Sequence, residues 1–341
     1  MKDVVQLQKM VYPDLLEAMQ QRYSILYTIY LFNPIGRRGI VTETKLPERL
    51  VRKEIDFLQH QGFISTTTKG VEMTEDGKSI ITDLQSLIRE SLGLTMLERQ
   101  LEEVMLVDKV IVVSGDSDSE PFAKQELGRA AVTYLTEIVE QDVTIAVTGG
   151  TTMASVANAM VPLESASCTF VPARGGIGEE VDYQANTIAA KMAIAEKGDY
   201  RLLYVPDPLS EALYQTMIHE ESIKETLTLI RNAPIVLHGI GEALTLAQRR
   251  KTSNDTLDKL LAEEATSEAF GYYFNESGNI VHKHRTIGIQ LEDLISTDAV
   301  ITVAGGTSKA KAIASFMKQR KTDVLITDEA AANEIVAKKL I

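Results

Sequence analysis

The sequence predicts an α/β protein with two parts: a small helical domain that carries a β-hairpin, and a larger domain built on a doubly wound, mostly parallel sheet. Three observations lead to this prediction. The 341 residues suffice for two or three domains with their own cores. The first ninety residues combine helical apolar spacing with one hairpin signal. From about residue 105 onward, short apolar runs alternate with helical segments, which is typical of parallel strands joined by helices.

Composition and charge restrict the class of protein. No apolar run reaches the roughly 18 residues that a membrane span needs, and Asp and Gln stand where a secretion signal would be apolar. The single cysteine, Cys168, opens an apolar run and is expected to be a buried core residue in a reducing compartment. We therefore expect a cytoplasmic protein without membrane contact. Residues 1–92 hold 12 basic and 12 acidic residues, so the formal net charge of −13 belongs to the remainder.

The first ninety residues follow the order helix, helix, basic helix, hairpin. Apolar residues at helical spacing predict a long helix over 14–32, which the stretch NPIGRR interrupts. RGIVTETKL predicts a short helix, and PERLVRKEIDFLQHQG predicts a longer one with Pro near its start and Gly at its end. FISTTTKGVEMT contains two short β-like runs around Lys69-Gly70, which predict a hairpin.

This order is that of a winged helix-turn-helix domain, which we assign to residues 1–78. Residues 33–70 hold seven basic and four acidic side chains, so a polyanion is the expected partner. Such a domain places its second motif helix in the major groove of DNA, while neighbouring basic residues contact phosphates. A small helical docking domain with a solvated basic face is the alternative. The candidate DNA-binding residues are Arg37, Arg38, Arg49, Arg52, Lys53 and Lys69.

Residues 79–104 are expected to form a linker helix. Apolar residues recur there at an approximate heptad spacing that is broken near Gly93, at positions 80, 84, 87, 94, 97, 101 and 104. Two such helices could pair, giving a dimer, and a tetramer on DNA, with DNA-binding domains related by a two-fold axis. A linker helix packed on its own domain would show the same pattern.

Residues 105–341 are predicted to form the sheet domain, and two of its loops share one pattern. VTGGTT and VAGGTSK each join an apolar strand, two glycines, two hydroxyl residues and a helix. Glycines permit close backbone approach, and a helix N-terminus attracts anions. A tight strand–helix turn with a Thr cap is the alternative. The candidate phosphate-binding residues are Gly149, Gly150, Thr151 and Thr152 in the first loop, and Thr307, Ser308 and Lys309 in the second.

Other strand–helix turns carry further polar groups, and ligands collect at the carboxyl ends of parallel strands. Arg174 follows a strand in VPARGGIGEE and could hold a phosphate through its planar guanidinium. Gln184 lies at the next helix start, and Arg249 and Arg250 follow the turn LHGIGEA. Glu268 could accept hydrogen bonds from sugar hydroxyls. These groups suggest a second anion site.

Catalytic and metal-binding signals are weak. The sequence NESG predicts the turn of a hairpin after Glu268, and His282 and His284 are expected to be exposed on its second strand rather than to bind a metal. Neither glycine loop has the pattern of a nucleotide-binding motif. We expect no metal ion, no cofactor and no catalytic residue.

The motifs PIGRR, VSGDSD, VTGGTT, VPARGG, QANT, HGIGEA, AQRR, EAFGYYFN and VAGGTSKA together resemble the central glycolytic gene regulators, within the SorC/DeoR class of bacterial repressors. The resemblance covers essentially the whole chain. It implies a winged helix-turn-helix followed by an effector domain that resembles sugar-phosphate isomerases and deaminases but acts as a sensor. It also implies a repressor of a lower-glycolytic operon, with fructose-1,6-bisphosphate as the inducer.

The resemblance also implies roles for individual residues, carried over motif by motif. One phosphate would be held by Gly149, Thr151, Thr152 and Lys309. The other would be held by Arg174, Gln184 and Arg249, with Arg250 as neighbour, and the choice between the two adjacent arginines stays open. Glu268 would contact the sugar hydroxyls. The alternative function is a sugar-phosphate isomerase with an accessory domain, whose base would be Glu242, Glu268 or His238.

Overall fold

The computed structural model describes residues 11–163, 167–176, 180–207, 209–319 and 322–341. The chain divides into two compact units, with the boundary between Met96 and Leu97. This boundary falls inside the segment that the sequence predicts as a linker. Within the described ranges, no helix combines the length and the apolar character that a bilayer crossing requires.

The first unit has the predicted order of three helices followed by a hairpin. Strands β1 and β2 are antiparallel and pair Thr67 with Gly70, so that Thr68 and Lys69 form the turn. Ile35 adds an antiparallel bridge to Val71 beside the hairpin, a pairing that the sequence did not reveal. The elements are α1 (Pro13–Leu31), α2 (Arg37–Thr44), α3 (Glu48–His60), β1 (Ile64–Thr67), β2 (Gly70–Met73) and α4 (Glu75–Leu92).

Helix α3 buries a charged residue that apolar spacing does not predict. Helical spacing predicts an apolar stripe of Leu50, Val51, Ile55 and Leu58, and the stripe is buried except for Leu50, which is half-buried. Glu54 is 3% exposed, and its Oε2 accepts a hydrogen bond from Arg22 Nε of α1 at 2.7 Å. The Arg22 guanidinium also lies 4.1 Å from the centre of the Phe57 ring. An ion pair between two helices therefore replaces an apolar contact in this small core.

The predicted linker helix consists of two helices, α4 and α5 (Leu94–Met105). They are separated at Gly93, where φ is 73°, so the expected break is confirmed. The apolar positions of the heptad do not share one environment, because Leu101 is buried whereas Leu87 and Val104 are exposed. Pairing of these helices between two chains stays a prediction.

The second unit contains the predicted parallel sheet. It has seven strands in the order β3-β13-β12-β7-β4-β5-β6, which the sequence did not predict. A smaller antiparallel sheet has the order β11-β10-β9-β8. The strands are β3 (Lys109–Val113), β4 (Val143–Val147), β5 (Cys168–Pro172), β6 (Asp199–Tyr200), β7 (Ile235–His238), β8 (Gly241–Glu242), β9 (Ala265–Ala269), β10 (Tyr272–Asn275), β11 (Ile280–Lys283), β12 (Ala299–Val303) and β13 (Val324–Asp328).

Helices connect most of these strands and cover the apolar core around β4, β7 and β12. Cys168 is buried in this core, as predicted, and burial raises the pKa of its thiol to about 12. The helices are α6 (Pro121–Ile138), α7 (Thr151–Ala159), α8 (Ala185–Glu196), α9 (Glu211–Met217), α10 (Glu221–Arg231), α11 (Ala243–Arg249), α12 (Asn254–Ala262), α13 (Ala310–Met317) and α14 (Glu329–Ala337).

The alternation of apolar runs with helices predicts RLLYVP, residues 201–206, as a strand, and this prediction is wrong because β6 ends at Tyr200. Only Asp199 and Tyr200 pair with β5. Beyond them, the Asn186 side chain takes over the role of a neighbouring strand, because its Oδ1 accepts from Leu203 N and its Nδ2 donates to Leu203 O, both at 3.0 Å. A side-chain amide thus ends the sheet where the apolar pattern predicted that it would continue.

At the opposite edge of the sheet, side chains accept hydrogen bonds from the outward backbone. Edge strand β3 lies next to β13 on one side only. On its other side, Val110 N donates to Glu102 Oε1 at 2.9 Å and Val112 N donates to Glu98 Oε1 at 2.8 Å. The two glutamates stand four residues apart on α5, a spacing that places them on one helix face.

The predicted hairpin after Glu268 is present as β10 and β11, with Gly278 N donating to Asn275 O in the turn. The expectation that His282 and His284 are exposed is wrong, since both are half-buried. Their rings lie 5.8 Å and 5.3 Å from the Tyr273 ring, measured between centroids. The Tyr273 ring packs against both imidazoles and covers part of them, so alternation along the strand alone does not predict their exposure.

His238 ends β7 in the centre of the sheet and is completely buried. Its Nε2 lies 2.8 Å from the Thr302 hydroxyl, and its Nδ1 lies 3.0 Å from Gly239 O. Burial lowers the pKa of His238 to about 4, although the Gly239 carbonyl and Glu268 oppose this shift. The folded protein therefore holds this imidazole in its neutral form at pH values where the unfolded chain would bind a proton.

We predict that His238 makes the protein less stable as the pH falls from about 6.5 to about 4. The shift of the pKa corresponds to about 3 kcal/mol over this window. His238→Gln should lower stability at pH 7, but should flatten the pH dependence of urea unfolding followed by circular dichroism. His219→Gln, at an exposed histidine, is the control and should keep the wild-type slope. An unchanged slope in His238→Gln would contradict the prediction.

Candidate functional site

A cavity of about 820 Å³ opens at the carboxyl ends of β4, β5, β7 and β12. Thr148, Arg174, Gly239 and Gly305 follow these strands and line it. Almost all of the predicted effector-binding residues also line it, and Thr307 alone of that set does not. Residues from distant parts of the chain meet in this cavity because each of them follows a parallel strand, where ligands usually bind.

The first glycine loop leaves a helix N-terminus open to the cavity. Gly150 precedes α7 with φ of 116°, and no side chain caps this helix among the described residues. A Cβ at Gly149 would lie 2.5 Å from Tyr183 O, so only glycine fits there. Thr151 and Thr152 begin the helix and line the cavity. Free N–H groups and the helix dipole make this point favourable for an anion.

The second glycine loop is already occupied by carboxylates. Thr307 N and Oγ1 donate to Asp116 at 3.3 Å and 2.9 Å. Ser308 N and Oγ donate to Asp118 at 2.7 Å and 3.0 Å. Both aspartates come from the loop that follows β3, in the motif VSGDSD. The expected open anion site on Thr307 and Ser308 therefore does not match this arrangement, because side chains of the same chain accept from its donors.

Basic residues gather at the cavity near this loop. Lys309, Lys124 and Arg249 all line the cavity. Burial and the positive charges of Lys124 and Arg249 lower the pKa of Lys309, while Asp118 opposes the shift. An anion placed among them would relieve this repulsion. Lys124 lies on α6 and was missed by sequence reasoning, because it follows no glycine loop.

Two arginines meet at the buried side of the cavity and share one carboxylate. Glu268 Oε1 accepts from Arg174 Nη1 at 2.9 Å and from Arg250 Nη2 at 2.7 Å. Arg174 Nε also donates to Asp207 Oδ2 at 2.7 Å, and Arg250 Nη1 donates to the Tyr273 hydroxyl at 2.6 Å. The side chains of all four charged residues are at most 6% exposed. Sequence reasoning missed Asp207.

The electrostatics of this network keep Glu268 ionised. Burial alone would raise its pKa, but the adjacent charges of Arg250 and Arg174 lower it to about 2. The two neighbouring arginines differ in position: Arg250 is buried inside the network, whereas Arg249 is exposed at the rim of the cavity. Both arginines line the cavity. Which of them contacts the ligand stays a prediction.

The residues nominated as an isomerase base are engaged in other roles. Glu242 caps α11, with Leu244 N donating to its Oε1 at 3.1 Å and Thr245 N to its Oε2 at 2.7 Å. His238 lies outside the cavity lining, and Glu268 is held by two arginines. In the described part of the chain, no group of three or more His, Cys, Asp or Glu side chains is arranged to hold a metal ion.

The candidate DNA-binding face lies in the first unit. Val51, Ile55 and Leu58 bury one side of α3 in the core, so the opposite side faces solvent. The six basic candidates are all exposed; they lie on α2, on α3 and in the turn between β1 and β2. This is the surface that a winged helix-turn-helix presents to a duplex.

Comparison with known proteins agrees with the two-part organisation. The family model "CggR N-terminal DNA binding domain" matches residues 18–88, and the model "Putative sugar-binding domain" matches residues 89–337. A "Central glycolytic genes regulator" from Priestia megaterium is 49% identical over 338 residues, which covers 98% of this chain and 99% of that protein. The chain belongs to the central glycolytic genes regulator family.

Other members and neighbours extend this assignment. A family member from Bacillus subtilis is 45% identical over 337 residues, covering 98% of this chain and 99% of its own length. The crystal structure of a "putative SorC family transcriptional regulator" from Enterococcus faecalis is 46% identical with a TM-score of 0.67, covering 71% of this chain and 99% of that one. The chain is thus a transcription regulator with DNA-binding and sugar-binding domains, and the isomerase alternative is wrong.

We predict that Lys309 and Lys124 contribute to anion binding. Lys309→Met and Lys124→Met should each weaken binding of fructose-1,6-bisphosphate, the effector that the resemblance implies, by about tenfold or more in isothermal titration calorimetry, because a charged hydrogen bond contributes about 1.5–3 kcal/mol. Lys311→Met, on an exposed lysine of α13, is the matched control and should retain wild-type affinity. Wild-type affinity in both cavity variants would contradict this assignment.

Proposed function

We propose that this protein represses glycolytic genes, and that fructose-1,6-bisphosphate binds its cavity and weakens its hold on operator DNA. The observation that carries the proposal is the cavity, in which an open helix N-terminus and a basic cluster face a buried network of arginines and carboxylates. A phosphate needs the N–H donors and positive charge of the first surroundings. Sugar hydroxyls need the donors and acceptors that the arginines and carboxylates supply. The names of the Priestia and Bacillus relatives support glycolytic genes as the target.

One phosphate of the effector binds at the start of α7. Backbone N–H groups of Thr151 and Thr152 donate to its oxygens, and the Thr151 and Thr152 hydroxyls add two donors. Gly149 lets the backbone approach. Lys309 supplies a compensating charge, and its position in the cavity lining supports this role.

The other phosphate binds on the side of Arg174, Gln184 and Arg249, which all line the cavity. A guanidinium carries five N–H donors, so Arg174 keeps donors for a ligand beside those that Asp207 and Glu268 use. Arg250 stabilises Glu268 from the buried side, and Glu268 faces the sugar. A bisphosphate would span the cavity between its two anion-binding ends.

The first unit binds operator DNA through its basic face. Helix α3 enters the major groove with Arg49, Arg52 and Lys53, while Arg37, Arg38 and Lys69 contact phosphates. The protein works in the cytoplasm as a homo-oligomer, a dimer that forms a tetramer on DNA. An oligomer aligns several DNA-binding units with repeated half-sites.

The two activities are coupled by linkage. A ligand shifts a conformational equilibrium only by its difference in affinity for the two states. Fructose-1,6-bisphosphate therefore favours an arrangement in which the DNA-binding domains no longer match the operator half-sites. A coupling free energy of about 1–3 kcal/mol suffices for a useful response.

The test is fluorescence anisotropy of a duplex taken from upstream of this protein's own operon, with and without fructose-1,6-bisphosphate. We expect tight binding that the sugar weakens about tenfold or more. The Thr152→Ala variant should bind the duplex equally well and should not respond to the sugar. Binding that ignores the sugar in the wild-type protein would overturn the effector, and absence of binding at low salt would overturn the repressor.

We predict that Arg52→Ala weakens operator binding about tenfold and leaves sugar affinity unchanged, because an arginine contact to DNA contributes about 1–3 kcal/mol. Lys78→Ala, which removes an exposed lysine of α4, is the matched control and should bind the duplex like the wild type. Anisotropy and calorimetry measure the two affinities separately. Equal operator affinity for Arg52→Ala and the wild type would remove Arg52 from the interface.

A further inference from the structure

Asp207 lies beyond the short edge strand β6 and lines the cavity beside Arg174. Its side chain is completely buried. Asp207 N donates to Gly176 O at 3.1 Å, which holds the segment against the loop that follows β5. Its carboxylate Oδ2 accepts from both Nε and Nη2 of Arg174. The arginine thus fixes the orientation of this carboxylate through one of its two oxygens.

The other oxygen, Oδ1, is buried and has no hydrogen-bond partner among the described residues. A buried carboxylate oxygen without a donor is unfavourable, because it has lost water and gained nothing in return. Glu268 presents the opposite case. Its Oε1 already accepts from Arg174, from Arg250 and from Gly271 N at 2.7 Å. Of the two carboxylates at this side of the cavity, Asp207 is the one with a buried oxygen that lacks a donor.

The surroundings restrict the chemistry of a donor for this oxygen. Arg174 and Arg250 balance the charges of Asp207 and Glu268, so this group carries no net charge. A cation would meet two arginines. A phosphate oxygen would meet a carboxylate oxygen at close range without a proton to share. A neutral hydroxyl can donate to Oδ1 without adding charge.

We propose that Asp207 is a specificity-determining residue, which accepts a hydrogen bond from a neutral hydroxyl of the bound sugar and excludes a phosphate from that position. This inference rests on the proposed function in that the cavity takes a phosphorylated sugar. It adds that the protein recognises one hydroxyl of the sugar through Asp207. An anion that has no hydroxyl cannot form this hydrogen bond.

The test compares Asp207→Asn with the wild type in the full chain without DNA. The sugar probes are fructose-1,6-bisphosphate, fructose 6-phosphate and glucose 6-phosphate, measured by calorimetry, and sulfate, which has no hydroxyl, is measured by thermal shift. In the variant, the amide oxygen keeps the hydrogen bonds of Arg174 and the NH₂ group takes the position of Oδ1, so an acceptor becomes a donor.

We expect Asp207→Asn to weaken binding of every sugar phosphate that the wild type binds by about tenfold or more, and to leave the sulfate response equal or stronger. Asp323→Asn is the matched control and should change neither response. Asp323 is a half-buried aspartate that accepts from Val300 N at the amino ends of the strands, away from the cavity. Unchanged sugar affinity, or an equal loss for sulfate and sugar, would overturn the role of Asp207.

A second arm uses only the wild-type protein, in case Asp207→Asn does not fold. Among analogues of the bound sugar phosphate that each lack one hydroxyl, one should bind about tenfold or more weakly. Losses below about threefold for every analogue would overturn the proposal. If fructose 6-phosphate or glucose 6-phosphate binds and fructose-1,6-bisphosphate does not, the effector proposed above is wrong and Asp207 is still tested. If none of the three sugars binds, both proposals fail.

Discussion

The buried carboxylate of Glu268, shared between Arg174 and Arg250, is the interaction on which the cavity depends. It joins the end of β5, the end of α11 and strand β9. Removing one partner from such a network leaves an uncompensated charge in a low-dielectric interior, which is strongly unfavourable. The three elements are therefore held at one separation, and the shape of the ligand site follows from it. Charge balance within the network leaves Asp207 and Glu268 ionised beside their arginines, so this part of the cavity offers acceptors as well as donors.

Another part of the cavity lining carries an excess of positive charge. Lys124, Lys309 and Arg249 add positive charge beside an uncapped α7, and Asp118 and Asp328 oppose part of the resulting fall in the pKa of Lys309. Two glycine loops with one sequence pattern thus serve different purposes. The loop before α7 offers its donors to the cavity, whereas the loop after β12 gives its donors to Asp116 and Asp118. The difference comes from the loop after β3, whose Asp116 and Asp118 accept hydrogen bonds from the second glycine loop.

Periodicity and turn chemistry predicted most of the fold, because they report on local conformation and on which face is buried. They placed Thr151, Lys309 and Arg174 at one edge of the sheet, since every parallel strand ends there. They could not identify Asp207, Lys124 or the buried Glu54, whose roles depend on partners far away in sequence. The run RLLYVP failed for the same reason: its residues suit a strand, but the Asn186 amide occupies the position of the next strand. Local patterns describe what a segment can form, and tertiary partners decide what it does form.

Side chains contact the backbone at one lateral edge of the parallel sheet and just beyond the other. Glu98 and Glu102 accept from the outward N–H groups of β3, and Asn186 engages the backbone just beyond β6. A sheet edge with free N–H and C=O groups invites another chain to add a strand, which leads to uncontrolled association. Here the outward N–H groups of Val110 and Val112 already have acceptors. An extended peptide that approached β3 would therefore meet two glutamate side chains instead of free backbone donors, and it would have to displace them before it could add a strand.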